Sequence, residues 1–132
     1  MDAINIKEGN SGKMKRITNE MKLRLPAIGV NEAVARSVIS AFVAELNPTV
    51  EELGDLRLAV SEAVTNCIVH AYRDLPTGTW GNVYISARLY DTREVTVEIE
   101  LGYLVSALTL DVGNKADHDG RGVREGLDIK YL

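Results

Sequence analysis

The stretch "LAVSEAVTNCIVHAYRD", Leu58 to Asp74, decides how the rest of the chain is read. Val60, Ala63, Val64, Cys67 and Ala71 recur at three- and four-residue steps, the period of a helix with one buried face. Glu62, Asn66 and His70 follow one another at four-residue steps in the same stretch. Residues at i and i+4 lie on one side of a helix, a turn apart, so these three polar groups form a single column. Spacing alone leaves two readings open. The column is the solvent edge of an amphipathic helix, or a polar ligand sits against it. In the second case the residue types suit a nucleotide. The amide oxygen of Asn66 suits a hard cation such as magnesium. Glu62, one turn earlier, can orient or deprotonate the group that attacks a phosphate. His70, one turn later, can meet a phosphate oxygen.

Upstream, Thr49 and Glu52 stand three apart at the head of this helix, the capping-box pattern. Leu53 and Leu56 extend its core face, and it is expected to end near Tyr72. "GVNEAVARSVISAFVAELNPT" reads as an earlier helix with Asn31 as N-cap and an apolar stripe of Val34, Val38, Ala41, Phe42 and Leu46. Asn47-Pro48 ends it. In "NEMKLRLPA", Met21, Leu23 and Leu25 alternate with Lys22 and Arg24, the two-residue period of a strand, closed by Pro26.

Downstream, "RDLPTGTWGN" reads as a loop. "VYISARLY" and "EVTVEIEL" flank Asp91-Thr92-Arg93 as a hairpin. Strand, helix, helix, strand, strand predicts an α+β two-layer sandwich with both helices on one face of the sheet. Residues 1–16 are polar and read as a mobile leader, 17–110 as the folded domain, and 111–132 as a polar, poorly packed tail. "LGYLVSALTLDVG", Leu101 to Gly113, is apolar and reads as one more strand or a short helix.

Composition narrows the function. With 132 residues, 45% hydrophobic and 26% charged, the chain suits one globular domain. A net charge of −4 and a pI near 5.2 argue against a direct nucleic-acid binder. One cysteine and two histidines cannot build a disulfide framework or a zinc site. Neither His70 nor His118 has a serine or cysteine elbow near it. No apolar run approaches the roughly 20 residues of a membrane span. A soluble, cytoplasmic protein is the expectation, with no membrane partner.

"LRLAVSEAVTNCIVHAY" resembles the N-box of the GHKL ATPase superfamily, in which a Glu-x-x-x-Asn pair sits on a helix. The longer run from Asn19 to Tyr72, with "VYISARL" and "VTVEI", resembles the sporulation anti-sigma F factors, which are protein serine kinases. The resemblance covers about residues 19–100. It implies the Bergerat-type α/β sandwich, ATP and Mg2+ as cofactors, and a sigma factor as the protein held off. A serine on an anti-anti-sigma partner would be the phosphate acceptor, and the chain would form a homodimer. Carried over by position, the resemblance makes Asn66 the magnesium- and nucleotide-binding amide and Glu62 the catalytic base. It sets His70 near the phosphates, Arg36 against the sigma factor, and Glu32 on the same partner-facing surface.

After residue 100 the chain departs from that pattern. Family members follow the strand matching "VTVEIE" with Asp-x-Gly-x-Gly, whose aspartate binds the adenine amino group. Leu101 or Gly102 stands there in this chain. The lid segment and the Ser-Gly-x-Gly phosphate loop have no recognisable counterpart, so the family fold is expected to be incomplete at the C-terminus. "DVGNK", Asp111 to Lys115, and "HDGRGV", His118 to Val123, carry only fragments of the glycine pattern. The alternative to a kinase is therefore a non-catalytic sigma-binding module, or a defective fragment that has lost nucleotide binding.

Overall fold

The computed structural model describes residues 6–8, 14–74, 81–102, 104–113 and 123–129, of which 6–8, 74 and 123–129 are described as backbone. The elements run β1 (Ile6–Glu8), β2 (Met14–Pro26), α1 (Asn31–Val43) with a 3-10 turn at Ala44–Leu46, and α2 (Val50–Asp74). There follow β3 (Asn82–Tyr90), β4 (Glu94–Leu101), β5 (Leu104–Asp111) and β6 (Val123–Ile129). Among the described residues the strands form one sheet in sequence order, each antiparallel to its neighbours. The helices form the second layer, which gives the expected α+β sandwich.

Register makes the two-residue period visible as a core. Leu23 lies opposite Ile85, Ile85 opposite Ile99, and Ile99 opposite Ser106, so these four share one face. Ile85, Ile99, Val97 and Leu110 are essentially inaccessible, as are Ile39 and Val43 of α1 and Leu56, Val60 and Val64 of α2. The helices cover the apolar face of the strands, and charged residues such as Lys22 and Arg24 point away from it. Among the described residues no helix is long and apolar enough to cross a membrane.

Four details differ from the sequence reading. Residues 6–8 and 14–16, expected in a leader, are strand, with Ile6 opposite Arg16. Val123–Ile129, expected in a tail, pairs with β5 from Leu110 back to Leu104. In both places backbone pairing suffices, because an edge strand needs no strong apolar pattern to complete a ladder.

The other two concern α1. Its buried stripe is Ala35, Ile39 and Val43, one residue on from the expected register, and Val34 is 40% exposed. Phe42 and Leu46 pack beside that stripe as expected. Asn31 lies inside the first turn rather than at the cap, which is Val30 with no side-chain cap bond. The Asn31 amide instead donates to the carbonyl of Pro26 at 2.8 Å, tying the helix start to the end of β2.

Candidate functional site

Helix α2 carries the site because its start and its core face are fixed. Thr49 N–H donates to Glu52 Oε1 at 2.9 Å, and Glu52 N–H donates to Thr49 Oγ1 at 3.0 Å, the reciprocal capping box. From there Leu56, Ala59, Val60, Ala63, Val64, Cys67, Ile68 and Ala71 are buried. That continuous face sets the rotation of the helix and turns Glu62, Thr65 and Asn66 to solvent.

There an open hollow of about 420 Å³ is lined, among the described residues, by Ser61, Glu62, Thr65 and Asn66. Glu62 and Asn66 are one turn apart, about 6 Å along the axis. The structure thus brings the expected carboxylate and amide to one rim. His70 lies a turn further on, half-buried and outside that lining.

Glu32 and Arg36 sit in the seam between α1 and α2. Arg36 Nη1 is 3.2 Å from Glu32 Oε2, with the two side chains 34% and 23% exposed. The same Glu32 oxygen accepts the Ser61 hydroxyl at 2.5 Å. Arg36 Nε is buried and has no hydrogen-bond partner among the described residues. Beside them Arg57 Nη1 donates to Ser40 Oγ at 2.9 Å, and Ser40 donates to the Arg36 carbonyl at 2.8 Å. The expected partner-facing residues are therefore joined to the hollow through Ser61.

Sequence reading missed Ser61 and Thr65. They form a second i, i+4 pair, one position ahead of Glu62 and Asn66, and that parallel column was the available signal. Behind the rim, Cys67 is fully buried. Burial first, and the negative charge of Glu100 second, push its thiol up to about 11, so it backs the site as a neutral group.

This donor set fits magnesium bound together with a nucleotide. Mg2+ usually keeps several waters and takes few protein ligands beside substrate phosphates. Among the described residues no three His, Cys, Asp or Glu side chains are grouped as a ready-made metal cage. Asn66 would hold the ion, and phosphates and water would complete its shell. At the end of β4, Leu101 is 6% exposed and pairs with Leu104 across a turn at Gly102, where φ is +58°. Leu101 and Gly102, the two positions that can match the adenine-binding aspartate of the resembling family, thus offer an apolar side chain and none. Of the two glycine-bearing fragments, Asp111–Gly113 closes β5, while Lys115 and His118 lie outside the described residues.

Residues 26–123 match the family described as the histidine kinase-like ATPase domain. The chain is also similar to curated proteins named anti-sigma F factor. One from Shouchella clausii is 48% identical over 75 residues, 57% of this chain and 49% of that protein. One from Caldanaerobacter subterraneus subsp. tengcongensis is 44% identical over 81 residues, 61% of this chain and 53% of that protein. One from a Thermoanaerobacter species is 53% identical over 57 residues, 43% of this chain and 40% of that protein. The chain spans about half the length of the curated relatives it matches.

Proposed function

The chain belongs to the histidine kinase-like ATPase domain family, and from that premise we propose that it is an anti-sigma factor that uses Mg-ATP to phosphorylate a serine of an anti-anti-sigma partner. The observation that carries this reading is the shared rim of Glu62 and Asn66 on α2. Asn66 would hold the metal beside the phosphates, and His70 would support the phosphates. Magnesium, when bound, neutralises charge on the phosphate oxygens. Glu62 accepts the proton of the attacking serine hydroxyl, whose oxygen forms the new bond to the γ-phosphorus as the bond to ADP breaks. Arg36 and Glu32, on the seam with α1, offer a paired cation and anion to the sigma factor. Such transfer depends on positioning and electrostatics, and α2 is a rigid element on which to mount both groups.

The test is transfer of the γ-phosphate of ATP to a purified anti-anti-sigma protein. The native chain should label it, and Glu62→Ala should lower the rate on the order of 100-fold or more, the usual worth of a general base. Equal labelling by both would remove Glu62 from the mechanism.

A second reading, a non-catalytic sigma-binding module, is favoured by the buried Leu101 and the tight turn at Gly102. On that reading Arg36→Ala weakens sigma-factor binding and Glu62→Ala leaves it unchanged, with no labelling by any variant.

A further inference from the structure

The hydroxyl of Ser61 is the link between the hollow and α1. We propose that Ser61 is a further residue of the nucleotide site, and that Glu32 sets its direction by holding its only proton; this rests on the Mg-ATP reading above. A serine hydroxyl has one hydrogen to give and two lone pairs to offer. An ionised carboxylate only accepts, so in the Ser61–Glu32 contact the proton lies toward Glu32. Arg36 Nη1, 3.2 Å from the same oxygen, holds that carboxylate in place. Ser61 therefore turns lone pairs, not a donor, toward the hollow it lines.

Phosphate oxygens are acceptors as well, so in this arrangement Ser61 has no proton for them. Release of Glu32 from the contact changes that. The hydroxyl rotates, its proton becomes free for a phosphate oxygen, and a charge-assisted hydrogen bond forms in its place. Glu32 itself stays in the seam and touches no nucleotide. It is a positioning residue, and its state sets the anion affinity of the hollow. An anionic ligand with phosphate oxygens gains from the switch, whereas a neutral ligand does not.

Two through-space effects accompany any loss of Glu32. A negative charge disappears near the phosphates, and the Arg36 cation is left unpaired there. Neither depends on Ser61, so a double-mutant cycle separates them from the proton. Mg-ATP affinity would be measured by calorimetry on the full chain for the native protein, Glu32→Ala, Ser61→Ala and the double variant, with Asn66→Ala as the site control. Thermal unfolding would confirm that each is folded.

The expected result is tighter binding in Glu32→Ala. That gain should be about ten- to 150-fold larger with Ser61 present than in the Ser61→Ala background, the worth of one hydrogen bond to a charged group. Glu32→Gln, whose amide oxygen still accepts the Ser61 proton, should gain less than Glu32→Ala. Equal gains in both backgrounds, with binding still dependent on Asn66, would overturn the Ser61 inference alone. No binding by the folded native chain would overturn the site reading and this inference together.

Discussion

Glu52 Oε2 accepts the backbone N–H of Gly113 at 2.7 Å while its Oε1 accepts the N–H of Thr49 at 2.9 Å. One carboxylate, 4% exposed, thus caps α2 and holds the end of β5. Arg93 closes the same corner from the β3–β4 turn, where it sits at φ +70°. Its Nη2 donates to the Leu46 carbonyl and its Nε to the Val112 carbonyl at 3.3 Å. The helix that carries the candidate site is pinned at its start by this corner.

Glu52→Ala removes the reciprocal half of the capping box and the acceptor of the Thr49 and Gly113 N–H groups, while Thr49 Oγ1 still accepts the backbone N–H at position 52. The expected cost is about 1–2 kcal/mol, from two lost hydrogen bonds to donors that water can partly reach. Urea unfolding measures it, and a loss under about 0.5 kcal/mol would show that the corner is dispensable.

Gly113 has φ +80°, where an L side chain is strained. Gly113→Ala should cost about 1–2 kcal/mol from the backbone alone, because the added Cβ would lie an ordinary 3.6 Å from Arg93 Nε. Gly29 has open space around it and no positive φ. Gly29→Ala should therefore stay within about 0.5 kcal/mol in the same assay.

On α1 the contrast is between two faces. Ile39→Ala should cost about 2–5 kcal/mol, because it empties core volume. Val34→Ala should cost less than about 1 kcal/mol, since Val34 is 40% exposed. Similar losses at both positions, read by chemical denaturation, would contradict the observed rotation of the helix.

That rotation also shows where the sequence stopped being legible. In α2 one face is apolar and the other carries Glu62, Asn66 and Asp55, so periodicity and the Thr49–Glu52 pair located the helix and its buried side. In α1 the run from Val34 to Val43 is apolar nearly all round. Two stripes, 34-38-41 and 35-39-43, fit the helical period equally well. Packing on the sheet chose the one beginning at Ala35, a selection that no local signal carries. The β3–β4 hairpin was readable because alternation and a turn coincide there. β1 and β6 were not, because their pairing is carried by backbone groups that every sequence possesses. At the site, the four-residue column gave Glu62 and Asn66. Ser61 was hidden because its importance lies in a contact with Glu32, 29 positions away.

Cys67 gives a pH prediction. Its thiol is raised from 9.0 to about 11 in the folded chain, so the unfolded chain loses this proton first as pH rises. Its contribution to stability is full below about pH 9 and is lost as pH climbs through about 11. Cys67→Ala should flatten that alkaline decline in urea midpoints. In the native state Cys67 should also resist iodoacetamide at pH 8 until the protein unfolds. Rapid alkylation of folded protein would contradict its burial.

The central claim is that the rim of Glu62 and Asn66 binds Mg-ATP. Calorimetric titration of the native chain, Asn66→Ala and Glu62→Ala tests it directly. The account predicts binding by the native chain, its loss in Asn66→Ala, and its retention in Glu62→Ala, because Glu62 acts on the proton rather than on the metal. A folded native chain that shows no heat of binding at millimolar Mg-ATP, or one that binds equally well without Asn66, would contradict it.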